Sequence, residues 1–196
     1  MRVIAGTARR LLLKTPAGMN TRPTTDRIKE TLFNMLQPKL AGREFLDLFA
    51  GSGGIGIEAL SRGAKHACFA DSSREAISCI KENLEHTGFT GRSTVYAMDA
   101  GSALARMRTE KRKFDIVFLD PPYGRGLELE AMRSLRSGGL LADDALVIAE
   151  TAIDGSTEEF EAAGYRVIRI KDYKTNRHVF LTPAESGRLP EEAGDV

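Results

Sequence analysis

At 196 residues, 42% hydrophobic and 28% charged, the chain suits one globular domain with a small extension and is too short for two full domains. No apolar run approaches the roughly 20 residues that cross a bilayer. Polar residues interrupt the short apolar runs at the N-terminus, and Cys68 and Cys79 are the only cysteines, so a membrane span, a secretory leader and a disulfide framework are not expected and a cytoplasmic protein is. His66, His86 and His178 are scattered without metal-ligand spacing, and no metal is expected.

The net charge of +1 conceals an asymmetry. Residues 1–43 hold nine Lys/Arg against Asp26 and Glu30, a net +7, while the remainder holds 19 basic against 25 acidic residues, a net −6. A basic arm on a mildly acidic body fits a phosphate-binding surface, although a solvated basic surface has the same composition. Residues 1–21 read as an extension in which Val3-Ile4-Ala5 and Leu11-Leu12-Leu13 form a small hairpin. Thr24 or Thr25 is expected to cap a helix carrying Ile28, Leu32, Phe33, Met35 and Leu36, which Pro38 stops.

Strands and helices then alternate. Strands are expected at 45–49, 67–70, 94–98, 114–119 and 145–149. Helices are expected after the first glycine turn up to Gly63, and over 73–86, 101–107, 126–135 and 157–163. Residues 165–170 and 178–181 read as a closing antiparallel pair, and the polar tail over 183–196 as mobile. The pattern predicts an α/β domain over residues 22–182: a mostly parallel, seven-stranded sheet with helices on both faces. Asp71, Asp99 and Asp120 end three successive strands, at the edge where such sheets bind ligands.

Three features carry chemistry. Gly51, Gly53 and Gly56 match G-x-G-x-x-G between a strand and a helix, a turn used by dinucleotide and adenosylmethionine sites alike. Asp71 lies 20 residues after Gly51, where an acid accepts from ribose hydroxyls or merely precedes a helix capped by Ser72 or Ser73; Asp99 could accept from an adenine amino group. Asp120-Pro121-Pro122-Tyr123 is the decisive feature. Two prolines after a buried strand make a stiff corner that aims the Asp120 carboxylate and the Pro121 carbonyl. Together these accept both N–H bonds of an exocyclic amino group, and Tyr123 can stack on its base.

At these residues the chain resembles the RsmD-like family of 16S ribosomal RNA guanine-N2 methyltransferases, which have a Rossmann-like methyltransferase fold. The resemblance runs over roughly residues 1–182 and includes Arg2-Val3-Ile4-Ala5-Gly6, Thr21-Arg22-Pro23-Thr24-Thr25-Asp26-Arg27 and Gly56–Ala64. It implies S-adenosylmethionine as cofactor. Asp47 and the backbone of Gly51–Gly53 would line its methionine part, with Phe49 and Ala50 beside them. Asp71 and Ser72 would serve the ribose, and Asp99 and Ala100 the adenine. Asp71 stands where the family pattern has Glu, one methylene longer. The implied catalytic residues are Asp120, Pro121, Pro122 and Tyr123. Arg2, Arg9, Arg10, Lys14, Arg22 and Arg27 would hold ribosomal RNA, naked or within an assembling small subunit, bound by a monomer. A DNA adenine or cytosine amino-methyltransferase shares the cofactor and the Asp-Pro-Pro-Tyr logic and stays open, as do, more remotely, an NAD-dependent dehydrogenase and an RNA-binding module without activity.

Overall fold

The computed structural model describes residues 1–16 and 26–184. In chain order the elements are α1 (Asp26–Leu40), β1 (Glu44–Leu48), α2 (Gly54–Ser61), β2 (His66–Asp71), α3 (Arg74–Thr87), β3 (Ser93–Ala97), α4 (Ala100–Thr109), β4 (Phe114–Leu119), α5 (Leu127–Ser137), β5 (Leu141–Ala152), α6 (Glu158–Ala162), β6 (Tyr165–Asp172) and β7 (Asn176–Pro183). The seven strands form one mixed sheet in the order β3-β2-β1-β4-β5-β7-β6. Pairings from β3 through β5 are parallel, because each crossover is long enough to contain a helix. The connection from β6 to β7 is residues 173–175, so it can only fold back, and β7 runs antiparallel to both β5 and β6.

Side chains alternate across the strands and divide the core in two. Phe45, Phe69, Ile116, Phe118 and Ile148 face α1, α2 and α3. Leu46, Leu48, Val117, Val147 and Val179 face α4, α5 and α6. The strand order reverses between β1 and β4, which opens a crevice at their C-terminal ends. Among the described residues no helix is long and apolar enough to cross a membrane.

Four local expectations change. Pro38 does not stop α1, which continues to Leu40. A proline in the last turn costs one backbone bond, and the complete burial of Leu40 holds that turn in place. Phe49 is not in the first strand; its φ of 73° puts it in the left-handed region, so β1 ends at Leu48. β5 is much longer than its apolar run, because Glu150, Thr151 and Ala152 pair with His178, Arg177 and Asn176 of β7, and a bulge between Phe114 and Ile116 lets Leu141 pair with β4. The N-terminal hairpin has one isolated bridge, Arg2 to Leu12, in place of regular strands. Thr24, Thr25 and the tail from 185 lie outside the described residues.

Residues 1–16 join the core through Val3, Ala8 and Leu13. The arm lies along α2. Its turn docks at the C-terminal end, where Ala8 N–H donates to Ser61 Oγ (3.0 Å), and Met1 lies against Gly54 at the other end. Fully buried Glu58 fastens it, accepting from Ile4 N (2.8 Å), Ala5 N (3.0 Å) and Arg62 Nε (2.8 Å), with Lys29 Nζ at 3.3 Å.

Candidate active site

The glycine turn joins β1 to α2 at the crevice. Gly56 packs its bare Cα against β2: a Cβ there would come within 2.3 Å of the Phe69 ring. Gly51 borders the crevice with φ 54°, and a Cβ on it would meet no protein atom within 4 Å. Beneath the turn, buried Asp47 accepts from Gly56 N (2.9 Å). Asn83, on the otherwise apolar face of α3, donates to Ser52 O (2.9 Å) and Lys14 O (3.0 Å), tying turn to arm. Neither Asn83 nor Glu58 was expected to matter; a single Asn among Ala76, Ile77, Ile80 and Leu84 was the available signal.

The acids that end the strands have distinct tasks. The Asp71 carboxylate accepts from Gly51 N and Ser73 N, both at 2.8 Å, so it braces the turn while keeping lone pairs for further donors. Asp99 caps α4, accepting from Ser102 N (2.9 Å) and Ser102 Oγ (2.8 Å). Ser72 and Ala100 border the same cavity, as do Phe49 and Ala50. Gly53 sits one step back, at the N-terminus of α2, in a left-handed conformation.

Asp120 follows β4 directly, half-buried, and no described residue donates a hydrogen bond to its carboxylate. Pro121 is buried, whereas Pro122 and Tyr123 are exposed. Tyr123 is nonetheless held, because its hydroxyl donates to Glu150 Oε1 at 3.1 Å. Buried Glu150 also accepts from Asn176 Nδ2 (2.5 Å) and pairs with His178 Nε2 (3.0 Å). His178 in turn contacts the Tyr173 hydroxyl through Nδ1 (3.2 Å) and meets the Phe118 ring edge-on. None of Glu150, Tyr173, Asn176 and His178 was singled out from the sequence. Glu150 showed the same sign as Asp71, Asp99 and Asp120: an acid closing an apolar strand.

Asp47, Gly51, Asp71, Asp99, Asp120 and Glu150 line one cavity of 1320 Å³. Single drug-sized ligands occupy roughly 300–1,000 Å³, so there is room for a cofactor and part of a second molecule. The floor is acidic. Burial, with the charge of Asp71, lifts the Asp47 carboxyl to about 7 against the bond from Gly56. Burial, then the charges of Glu150 and Asp47, holds Asp120 well above the usual carboxylate range. Burial would also raise Glu150, but the hydrogen bond and charge of His178, with the bonds from Asn176 and Tyr123, outweigh it and keep it low. Carboxylates that repel one another in a desolvated floor are relieved by a cation.

The basic residues read as RNA ligands are not gathered in one place. Arg27 borders the cavity. Arg2 pairs with Asp26 (2.8 Å) and Lys14 with Glu82. Arg9 and Arg10 sit on the turn docked at the far end of α2, away from the glycine turn. Arg22 lies outside the described residues.

The family model described as conserved hypothetical protein 95 matches residues 1–182. The chain belongs to this, the RsmD-like, family. Among relatives, the putative rRNA methyltransferase YlbH of Bacillus subtilis (strain 168) is 43% identical over 173 residues, 88% of this chain and 92% of that protein. The ribosomal RNA small subunit methyltransferase D of Escherichia coli (strain K12) is 41% identical over 154 residues, 79% of this chain and 76% of that protein. Among solved structures, the putative methyltransferase yhhF from Escherichia coli superposes with a TM-score of 0.79 at 35% identity, covering 94% of this chain and 98% of that one. The RsmD-like fold thus includes the arm, the crevice and the antiparallel strands that carry the Glu150 network.

Proposed function

We propose that the protein transfers a methyl group from S-adenosylmethionine to the exocyclic N2 amino group of a guanine in small-subunit ribosomal RNA. The observation that carries the chemistry is Asp120: a carboxyl group at a proline-stiffened corner, without a hydrogen-bond donor among the described residues, on the acidic floor of a cavity large enough for a nucleoside cofactor and a base. The names of the RsmD-like relatives support ribosomal RNA as substrate, and the family resemblance supports guanine N2.

The donor set fits this cofactor. Asp71 keeps lone pairs for ribose hydroxyls, the bare Gly51 backbone admits close approach, and Asp47 with its acidic neighbours favours a positive ligand. When bound, S-adenosylmethionine supplies an electrophilic methyl group on a cationic sulfur. The chain's own residues do the rest. Asp120 and the Pro121 carbonyl accept the two N–H bonds of the amino group and leave its lone pair unengaged. As positive charge grows on nitrogen, the bond to the Asp120 carboxylate strengthens, so Asp120 stabilises the transition state more than the ground state; Asp120 then takes the surplus amino proton and passes it to solvent, with S-adenosylhomocysteine as the leaving group. Tyr123, tethered to Glu150, presents its ring to the base, and tight positioning supplies much of the rate.

Incubating the protein with labelled S-adenosylmethionine and small-subunit RNA, partly assembled small subunits or DNA, then mapping the modified base, tests the reading. N2-methylguanine in the RNA or the particle is expected; label in DNA alone overturns it. Asp120→Ala is expected to lower transfer at least about 10²-fold, the scale for losing one preorganised transition-state contact, with cofactor binding by calorimetry retained.

A further inference from the structure

Residues 166–174, spanning β6 and the turn that follows, contain Arg166, Arg169, Lys171 and Lys174 against a single acid, Asp172, which is already paired with Arg177 at 3.1 Å. Among the described residues, Arg169, Lys171 and Lys174 have no acidic partner. Register decides where two of them point. Arg169 pairs with Phe180 and Lys171 with His178, and paired residues share a face, so both lie on the α1 side of the sheet with Glu150 and His178. Lys171 and Lys174 border the cavity that holds Asp120, with Arg27 and Arg125 elsewhere on its margin.

We propose that the β6–β7 hairpin, through Arg169, Lys171 and Lys174, grips the phosphates that flank the target nucleotide of a single-stranded RNA segment. The inference rests on the reading of this site as an RNA methyltransferase and names the surface that presents the substrate. Its physical basis is the separation of charge. Glu150, held ionised by its partners beside Asp120, repels phosphate from the floor, whereas the hairpin cations attract it. A nucleotide entering such a site is ordered by that gradient, neutral base inward and backbone outward. A base drawn out of a helix or loop brings its flanking phosphates to the mouth of the cavity, where Lys171 and Lys174 stand. The N-terminal arm is less suited to this. Arg9 and Arg10 are held at the far end of α2, and Arg2 and Lys14 are paired with acids.

The test is binding of a small-subunit RNA transcript as a function of salt, with the R169Q/K171Q/K174Q variant, K174Q alone, and R9Q/R10Q for comparison. Each lost phosphate contact lowers the slope of log K against log salt by about 0.7 for single strands, so the triple variant is expected to lose about 2 and K174Q about 0.7. R9Q/R10Q is expected to change the slope by less than K174Q does. Adenosylmethionine binding and the melting temperature are expected to stay at wild-type values in all three. A triple variant with wild-type slope and affinity, tested beside a wild type that binds and methylates the RNA, overturns the hairpin assignment alone. A larger loss in R9Q/R10Q than in the triple variant overturns it in favour of the arm. A wild type that neither binds nor methylates RNA overturns the functional reading as well.

Discussion

Two buried glutamates organise this molecule, and they are built differently. Glu58 meets two cations, Lys29 and Arg62, and two backbone N–H groups, all within the packed side of α2. Glu150 meets a tyrosine, an asparagine and a histidine, and one side of its network opens on the cavity. The first arrangement compensates charge and locks a segment in place. The second holds its negative charge with one ionisable partner, His178, and two neutral donors, and that charge remains felt at Asp120, whose carboxyl it helps to raise. Full pairing serves architecture, and incomplete pairing leaves a field for the site to use.

The largest expected effect is on the architectural side. Glu58→Ala leaves Lys29 buried without its acidic partner, holding only the Arg2 carbonyl, and frees two backbone N–H groups of the arm, and should cost about 3–5 kcal/mol of stability, read by denaturant unfolding. A loss below about 1 kcal/mol would show that the clamp contributes little and would erase the contrast. Glu150→Gln should do the reverse: a stability loss of about 1 kcal/mol, typical of a perturbed hydrogen bond, with a fall in kcat of about tenfold or more as the charge beside Asp120 is lost and the bonds to His178 and Asn176 rearrange. A variant that loses stability and keeps kcat would make Glu150 an architectural residue like Glu58.

The acidic floor predicts a pH dependence whose sign is fixed. Asp47 is raised from 3.8 to about 7 in the folded apoprotein, so between those values the folded state holds more protons than the unfolded chain. Apoprotein stability should therefore fall as pH rises from about 4 to about 7, by up to about 1.4 kcal/mol for each step of one in pH. Asp47→Asn should flatten that slope in thermal melts. For the same reason a cationic cofactor should expel protons on binding. Adenosylmethionine affinity is expected to rise from pH 6 to pH 8, and that of S-adenosylhomocysteine, whose sulfur is neutral, to rise less; equal slopes in calorimetry would remove the floor's role. The smallest effect is expected of Tyr123→Phe, which keeps the ring and loses only the tether to Glu150: about 0.5–1 kcal/mol in kcat/KM, or about twofold to fivefold.

Much of this protein was decided locally. Short apolar runs, glycine punctuation and an acid closing three successive strands are properties of neighbouring residues, so the α/β alternation, the glycine turn and the Asp120 corner could be read from the chain alone. The family resemblance added the cofactor and substrate class. Four things depended on residues far apart in sequence. Glu150 and His178 are 28 positions apart and meet only because β5 and β7 pair antiparallel. Asn83 reaches Lys14 across 69 positions, and Glu58 reaches Ile4 across 54, so the arm became a wall of the core instead of a free basic extension. Lys171 comes to the margin of the cavity by the register of the last strand pair. Hydrophobic pattern and turn chemistry determine which elements form. Which polar side chains meet between them is set by strand order and register, which short-range preferences do not encode.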